Sequence, residues 1–319
     1  MNLYLGVDGG GSGTALCLVN AAGEVLAETT APSCYYLDAS CEEGVALVER
    51  VLTAAVSELC ALAGVRPAEI TSAFFGLPAY GEVSADVPVL DAAPRAVLGH
   101  DRYRCDNDMV CGWAGSLGLA DGINVISGTG SMTYGRNGEL GVRVGGWGEL
   151  FGDEGSGYWM GVRGLQAFTQ MSDGRLPAGP LLDVLRKHLE LAADLDLIDV
   201  VLNRWRGSRR EVAALSRVVV EAARLGDVAA QGIVDAAATE LVRLVETTRT
   251  RLRFTGTVPV SYSGGVLTAP EILQAFTARL ADSYELREPQ YSPVVGAALY
   301  AAALAGEPLS QIAVGRPLE

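Results

Sequence analysis

The sequence has few of the residues on which many enzymes and metal sites depend. Among its 319 residues only two are histidine, His100 and His188, which argues against catalysis by a histidine pair. The six cysteines, at 17, 34, 41, 60, 105 and 111, include no C-x-x-C pair, so no structural zinc site is expected. Several of these cysteines lie in apolar runs, where a free cysteine behaves as a small hydrophobic residue.

Basic residues and long apolar runs are also scarce. The 24 basic residues are outnumbered by 38 acidic ones, and the net charge of -14 opposes nonspecific binding to nucleic acid or anionic lipid. No apolar run reaches the roughly 18 residues of a membrane span, and no basic segment followed by an apolar stretch indicates a signal peptide. We therefore expect a cytoplasmic protein without nucleic acid or membrane partners, in which phosphate groups require local amides and a cation.

Glycine, by contrast, is concentrated in two turns. Residues 8–14 read DGGGSGT and residues 127–131 read SGTGS, and each turn lies between two runs typical of β-strands. Glycine lets a backbone approach a polyanion closely and point consecutive N–H groups at one cluster of oxygens. Two such turns predict one nucleotide held between two lobes. The first turn lacks the lysine of a Walker loop and the helix of a dinucleotide fingerprint.

The order of predicted elements indicates an α/β protein. Apolar spacing predicts a helix over residues 42–63, ended by Gly64, and a strand over residues 70–77. This β-β-α-β order is typical of a sheet with helices on its faces. Residues 157–253 are almost wholly helical in pattern, and a strand at 258–262 and a final helix at 293–304 follow. The length suits two domains, with a boundary near residues 115–122.

Asp8 ends the first strand directly before the glycines. Its carboxylate could hold a hydrated Mg²⁺ while the turn amides and the Ser12 and Thr14 hydroxyls contact the β- and γ-phosphates of a nucleotide. The alternative is a hairpin turn whose aspartate binds its own loop. Three consecutive glycines exceed what such a turn requires, which favours the phosphate loop.

Two further short motifs allow more than one interpretation. The segment Asp106-Asn107-Asp108 offers a general base for an alcohol that attacks a γ-phosphate, but any of its residues could instead cap a helix. Ser263-Gly264-Gly265 follows a predicted strand and suits the adenosine side of a nucleotide site. The same tripeptide could form any strand-to-helix turn.

A second glycine cluster contains an acidic pair. Residues 145–148 read GGWG and residues 152–157 read GDEGSG. The glycines could form a floor for a polar ligand, with Asp153 accepting hydrogen bonds from its hydroxyls. The alternative is an N-terminal cap for a helix that starts near Tyr158.

Taken in order, these motifs resemble the N-acetylglucosamine kinase family, part of the BadF/BadG/BcrA/BcrD ATPase group in the actin-like and sugar kinase superfamily. The motifs that carry the resemblance are DGGGSGT at 8–14, DND at 106–108, SGTGS at 127–131, GGWGELFGDEGSGYW at 145–159, SGG at 263–265 and GAALYAA at 296–302. The resemblance implies two ribonuclease H-like α/β domains of the actin-like ATPase fold. It places the first domain at residues 1–115, with the final helix at 293–305 packed back on it. The second domain spans residues 116–292 and contains a helical insertion at about 157–253. It also implies phosphoryl transfer from MgATP to a hexosamine, usually at the 6-hydroxyl, and suggests a homodimer.

The family's functional residues can be carried over by position. Asp108 matches the catalytic aspartate and Asp8 the acidic residue on the magnesium side. The ATP-binding residues implied by the resemblance are Gly9, Gly10, Gly11, Ser12, Gly13, Thr14, Gly128, Thr129, Gly130, Ser131, Gly264 and Gly265. The implied substrate contacts are Cys34, Tyr36, Met132, Gly145, Gly146 and Asp153. Cys34 and Met132 stand where the family's N-acetylglucosamine enzymes have asparagine, so two amide groups of the sugar site are replaced.

The leading hypothesis is a small-molecule kinase that acts on an amino sugar, with a kinase of a related, non-hexosamine hydroxyl compound as a variant of it. A rival is an ATPase that drives electron transfer, as in the activators of 2-hydroxyacyl-CoA dehydratases, which hold an iron–sulfur cluster through cysteines. No cysteine lies beyond residue 111 here. A second rival, a nucleotide-binding module without an acceptor, has no need of Asp108 or of the GGWG floor.

Overall fold

Two five-stranded sheets organise the computed structural model, which describes residues 2–37 and 41–313. Contacts divide the chain into two compact units: unit 1 contains the residues up to Ala120 and from Glu288 onward, and unit 2 contains Asp121–Arg287. The boundaries expected from the sequence, after residues 115 and 292, each differ from these by five residues.

The sheet of unit 1 has the strand order β3-β2-β1-β4-β5. Its strands are β1 (Leu3–Gly9), β2 (Thr14–Asn20), β3 (Val25–Ala31), β4 (Ser72–Leu77) and β5 (Tyr103–Asn107). Its helices are α1 (Ala46–Ala63), α2 (Val87–Leu98), α3 (Met109–Leu117) and α11 (Pro293–Leu304). The first three strands pair antiparallel, whereas β1, β4 and β5 run parallel.

Helices cover both faces of this sheet for different reasons. The predicted apolar stripe of α1 buries Val48, Leu52, Val56 and Leu59, and Gly64 ends the helix with φ 67°. On the other face α11 comes so close that side chains cannot fit. A Cβ atom at Gly6 would overlap the α11 backbone at Val294 and Ala298, and one at Gly296 would overlap the backbone of Gly115 in α3. Small residues therefore allow α11 to pack directly on β1 and α3.

Unit 2 repeats the same topology with the strand order β10-β9-β6-β7-β8. Its strands are β6 (Gly122–Ser127), β7 (Ser131–Asn137), β8 (Leu140–Gly145), β9 (Val258–Ser263) and β10 (Tyr284–Leu286). The first three again pair antiparallel, and β6, β9 and β10 run parallel. The two glycine-rich turns join the equivalent hairpins, β1–β2 and β6–β7. This topology confirms the predicted pair of ribonuclease H-like α/β units.

The helices inserted into unit 2 fill most of the predicted helical segment. They are α4 (Gly157–Ser172), α5 (Pro180–His188), α6 (Asp196–Asp199), α7 (Arg209–Ala214), α8 (Ser216–Arg224) and α9 (Val228–Arg251), and α10 (Pro270–Thr277) follows β9. Shorter helical turns occur at Pro67–Glu69, Ser84–Asp86 and Val200–Arg204. The sequence did not predict α2, β8 or β10. In the part of the chain that the structure describes, no helix is both long and apolar enough to cross a membrane.

Candidate active site

The carboxylates singled out in unit 1 meet at one edge of its sheet. The parallel strands β1, β4 and β5 bring Asp8, Gly76 and Asp106 into register, and Asp108 follows two residues later. A Cβ atom at Gly76 would lie 3.1 Å from the Asp108 Cα atom. Glycine at position 76 therefore lets the backbone of Asp108 lie against β4, beside the end of β1.

Two buried thiols lie within the electrostatic reach of both Asp8 and Asp108. Burial raises the pKa of Cys34 to about 11, and the negative charges of the two aspartates add to the shift. Burial and the same two charges raise the pKa of Cys111 well above its ordinary value. The Cys111 thiol donates to Val7 O at 3.5 Å, and a Cβ atom at Gly9 would lie 3.0 Å from the Cys34 Sγ atom, so both thiols lie beside the end of β1.

Asp8 is the candidate magnesium ligand of unit 1. Burial raises its pKa to about 6, although a hydrogen bond with Cys111 opposes the shift. Among residues 2–37 and 41–313, no three His, Cys, Asp or Glu side chains form a group that could hold a metal ion by themselves. Mg²⁺ commonly binds through one or two carboxylates, several waters and substrate phosphates, which fits this arrangement.

Asp108 does not cap the helix that it precedes. It occupies the N-cap position of α3 without a side-chain capping bond, and the Asn107 Oδ1 atom instead accepts the Met109 N–H at 3.2 Å. The Asp106 carboxylate accepts the Asn107 N–H at 2.8 Å and faces Arg104 at 3.5 Å. The capping alternative is therefore wrong for Asp108, whose carboxylate remains the candidate base.

The first glycine turn has an open side. Gly10 N–H donates to the Gly13 carbonyl at 2.8 Å, and a Cβ atom at Gly11 would meet nothing within 4 Å. The φ angles of Gly9, Gly10, Gly11 and Gly13 lie outside the left-handed region, so backbone conformation does not require these glycines, although a Cβ atom at Gly9 would lie 2.8 Å from the Pro78 Cδ atom. Ser12 is exposed, whereas Thr14 is buried and donates its hydroxyl to Pro32 O at 3.0 Å. Of the two hydroxyls considered for phosphate contact, only that of Ser12 faces the open side.

The second glycine turn is a meeting point for three other segments of unit 2. Gly146 N–H donates to Ser131 O at 2.9 Å, Gly157 N–H to Gly128 O at 2.8 Å, and Val266 N–H to Ser127 O at 2.9 Å. Gly264 has φ +89°, and a Cβ atom on it would lie 3.0 Å from Gly128 N. The structure thus brings together Gly128–Ser131, Gly145, Gly146, Asp153, Gly264 and Gly265. The Ser131 hydroxyl donates to Glu154 O at 2.7 Å, and its backbone N–H and carbonyl bind Asp153 and Gly146, so Ser131 holds this turn together.

Asp153 is held in place by several contacts. Ser156, not Asp153, caps α4 and accepts the Trp159 N–H at 3.1 Å, so the capping alternative is wrong for Asp153 as well. Asp153 has φ 58° and is 2% exposed. Burial raises the pKa of its carboxyl, and Arg209 together with the N–H groups of Gly148 and Ser131 oppose that shift. Sequence reasoning missed Arg209, because an arginine at the start of a helical run looks like an ordinary surface residue.

A second arginine that the sequence analysis did not predict, Arg143, lies beside Gly145 and Gly146, the predicted floor of the sugar site. Gly145 and Gly146 have φ 80° and 71°, and the guanidinium of Arg143 donates to both of their carbonyls, with Nε 3.2 Å from Gly145 O. A Cβ atom at Gly146 would lie 2.8 Å from the Met132 Cε atom. Partly exposed Met132 therefore lies against this floor. Cys34 and Tyr36, by contrast, belong to the hydrophobic core of unit 1.

A groove of about 380 Å³ adjoins the SGG turn within unit 2. It lies between α8 and the segment that follows β9. Its lining residues are Ser216, Arg217, Val220, Glu221, Arg224, Gly265, Val266, Ala269 and Ile272. A volume of this order suits a small organic ligand, and the side contributed by α8 was not predicted from the sequence.

Comparison with known proteins extends these observations. A model of the BadF/BadG/BcrA/BcrD ATPase family matches residues 5–301. The N-acetylmuramic acid/N-acetylglucosamine kinase of Clostridium acetobutylicum is 34% identical over 247 residues, which cover 76% of this chain and 77% of the relative. The N-acetyl-D-glucosamine kinase of Dictyostelium discoideum is 28% identical over 315 residues, covering 94% and 97%. A solved structure from Chromobacterium violaceum, described as a candidate N-acetylglucosamine kinase, shares the fold with a TM-score of 0.72 and 23% identity over 96% of this chain and 99% of its own.

Proposed function

Since the chain belongs to the BadF/BadG/BcrA/BcrD ATPase family, we propose that it is a kinase that transfers the γ-phosphoryl group of ATP to a hydroxyl of an amino sugar. The observation that carries this proposal is that Asp8 and the end of β5, which leads into Asp108, lie at the same edge of the unit 1 sheet, in a chain whose relatives are named as amino-sugar kinases. A phosphoryl transfer of this kind needs one carboxylate for the metal and another for the attacking hydroxyl.

Each candidate residue would have a separate role in the transfer. Asp108 accepts the proton of the acceptor hydroxyl. The oxygen of that hydroxyl forms a bond to the γ-phosphorus, and the bond between the γ-phosphorus and the β-phosphate oxygen breaks. The amides of the two glycine turns would bind the phosphate oxygens, apart from those of Gly10, Gly128 and Ser131, which bind within the protein, and Asp8 would hold Mg²⁺. Bound Mg²⁺ neutralises charge on the phosphates. The groove beside Gly265 would take the adenosine moiety.

The acceptor would lie against Gly145 and Gly146, with a hydroxyl bound to Asp153. A site built to pair a polar substrate group discriminates strongly when that pairing is lost. The resemblance implies an amide at position 132, where this chain has Met132, and one at position 34, where Cys34 is fully buried in the core of unit 1. We infer that N-acetylglucosamine is a secondary substrate and that a differently substituted amino sugar is preferred.

The activity itself is tested by incubating the protein with MgATP and a panel of amino sugars and detecting the phosphorylated product by mass spectrometry. The Asp108→Asn variant should bind ATP as the wild type does but turn over about 10²–10⁴-fold more slowly, the usual effect of losing a positioned proton acceptor. Asp106→Asn is the matched control, since that carboxylate binds Arg104 and the Asn107 N–H. Normal turnover in Asp108→Asn together with collapse in Asp106→Asn would assign the role to Asp106.

A further inference from the structure

Arg209 connects the helical part of unit 2 to the predicted acceptor residues. It is the first residue of α7, whose N-terminus is capped by Ser208. Its Nη2 atom lies 2.5 Å from Asp153 Oδ2, and its Nε atom lies 3.2 Å from Glu149 Oε2. Both carboxylates belong to the loop that carries the predicted sugar floor. One guanidinium therefore spans two acidic groups of that loop.

This ion pair is not an ordinary surface contact. The Asp153 side chain is 2% exposed, whereas those of Arg209 and Glu149 are 33% and 32% exposed. A buried carboxylate without a cationic partner is costly to keep ionised, so the pairing matters more here than on the surface. Arg209 is thus the group that compensates the buried charge of Asp153.

The geometry also leaves little freedom around the pair. A Cβ atom at Gly130 would lie 2.7 Å from both Arg209 Nη2 and Asp153 Oδ2. The second glycine turn therefore packs against the ion pair, and only glycine at position 130 leaves room for it. A displacement of Arg209 would therefore change the packing of both Asp153 and this turn.

Asp153 retains acceptor capacity in this arrangement. Its carboxylate is bound by Arg209 and by the N–H groups of Gly148 and Ser131. An ionised carboxylate has about four acceptor positions, so these three contacts leave one for a hydroxyl. Among the described residues, the charged groups that face Asp153 are Arg209 from α7 and, through Arg209, Glu149 from its own loop, while β7 presents the Ser131 N–H.

We propose that Arg209 is a positioning residue for the acceptor, which keeps the Asp153 carboxylate ionised and oriented toward a substrate hydroxyl. The inference rests on the proposed function, because it assigns the acceptor to Asp153. It adds that recognition of the acceptor depends on α7, a helix of the segment inserted into unit 2. Glu149 adds a second negative charge beside the same guanidinium, 3.2 Å from its Nε atom, without a hydrogen bond to that atom.

The kinetic test compares Arg209→Met, Arg209→Lys and the control Arg210→Met, which alters the exposed neighbouring arginine. Loss of the cation raises the pKa of Asp153, so the acid limb of the kcat/KM profile should move to higher pH in Arg209→Met. The KM for the amino sugar should rise about tenfold or more, while the KM for ATP stays unchanged. Arg209→Lys should restore the position of the acid limb, and Arg210→Met should match the wild type.

A second measurement separates this proposal from the proposed function. Aspartate labelled at the carboxyl carbon, with the signal of Asp153 assigned from Asp153→Asn, reports the pKa of Asp153 by NMR without any turnover. A wild type that phosphorylates no amino sugar refutes the proposed function, and the NMR titration still decides the role of the ion pair. The proposal is overturned if Arg209→Met leaves the Asp153 pKa at its wild-type value. It is equally overturned if that pKa rises while the acceptor KM and the acid limb do not move, or if the ATP KM changes instead.

Discussion

Met132 is the side chain through which a single substitution could most directly change the acceptor. It is partly exposed on β7, opposite Gly145 of β8, and its methyl group lies against Gly146. A thioether offers only a weak hydrogen-bond acceptor, whereas an amide both donates and accepts. Cys34 is a less suitable position for the same change, because it is fully buried and a new amide there would need partners inside the core.

We therefore predict that Met132→Asn raises kcat/KM for N-acetylglucosamine by about tenfold, the value of one net hydrogen bond of about 1.4 kcal/mol. Met132→Leu is the control, since it keeps the apolar character and should give no gain. The wild-type value provides a further check. A kcat/KM of about 10⁴ M⁻¹s⁻¹ or more for N-acetylglucosamine would mean that this sugar is a normal substrate, and the inferred preference for another amino sugar would be wrong.

At the level of elements, the contact between α3 and α11 depends on two glycines. A Cβ atom at Gly296 would overlap the Gly115 backbone, and one at Gly115 would overlap the Ser292 backbone directly before α11. The same helix passes over Gly6 of β1. Helix α11 therefore packs against both β1, which contains Asp8, and α3, which begins directly after Asp108.

Gly296→Ala should consequently lower the free energy of unfolding by about 1–2 kcal/mol, because overpacking a core costs about 1–3 kcal/mol and part of this is offset by helix propensity. The overpacking cost exceeds the gain in helix propensity from replacing glycine by alanine, about 1 kcal/mol. Leu304→Gln at the exposed end of α11 is the control and should change stability by about 0.5 kcal/mol or less. Denaturant unfolding followed by circular dichroism measures both. A Gly296→Ala variant as stable as the wild type would show that α11 can move away from α3 without cost.

At the scale of the whole molecule, the two units differ in how the chain builds them. Unit 2 is continuous from Asp121 to Arg287, whereas unit 1 needs residues from both sides of it. One apolar cluster of unit 1 consists of Cys17, Val19, Val295, Ala298, Leu299 and Ile312. Without the segment from residue 288 onward, β2 would lose the apolar residues that cover this face.

We predict that a fragment of residues 121–287 folds by itself, because it retains its sheet and its own core. A fragment of residues 1–120 should fold only when residues 288–319 are joined to it. Cooperative thermal unfolding and dispersed NMR signals are the readouts. Cooperative unfolding of the shorter fragment alone would show that α11 is dispensable for the first sheet.

Patterns local in the chain were enough to predict several features. The glycine turns, the α1 stripe with Gly64 at its end, and the strand around Asp8 depend on neighbouring residues, and the structure contains each of them. The motifs also indicated the fold and the family, which the topology and the match over residues 5–301 confirm. The roles of Asp8, Asp108 and Asp153 in binding and catalysis stay predictions.

Other features depended on residues that are distant in sequence. The sequence left open whether Asp108 and Asp153 cap helices, and only the observed partners of Asn107 and Ser156 decided it. Arg209 lies 56 residues from Asp153, and no local pattern marks an arginine that will compensate a buried carboxylate. The sequence alone thus determined where the chain turns and which residues could do chemistry, because propensity and periodicity act over a few residues. Tertiary structure alone decided which of those side chains meet, because burial and charge pairing depend on packing between segments far apart along the chain.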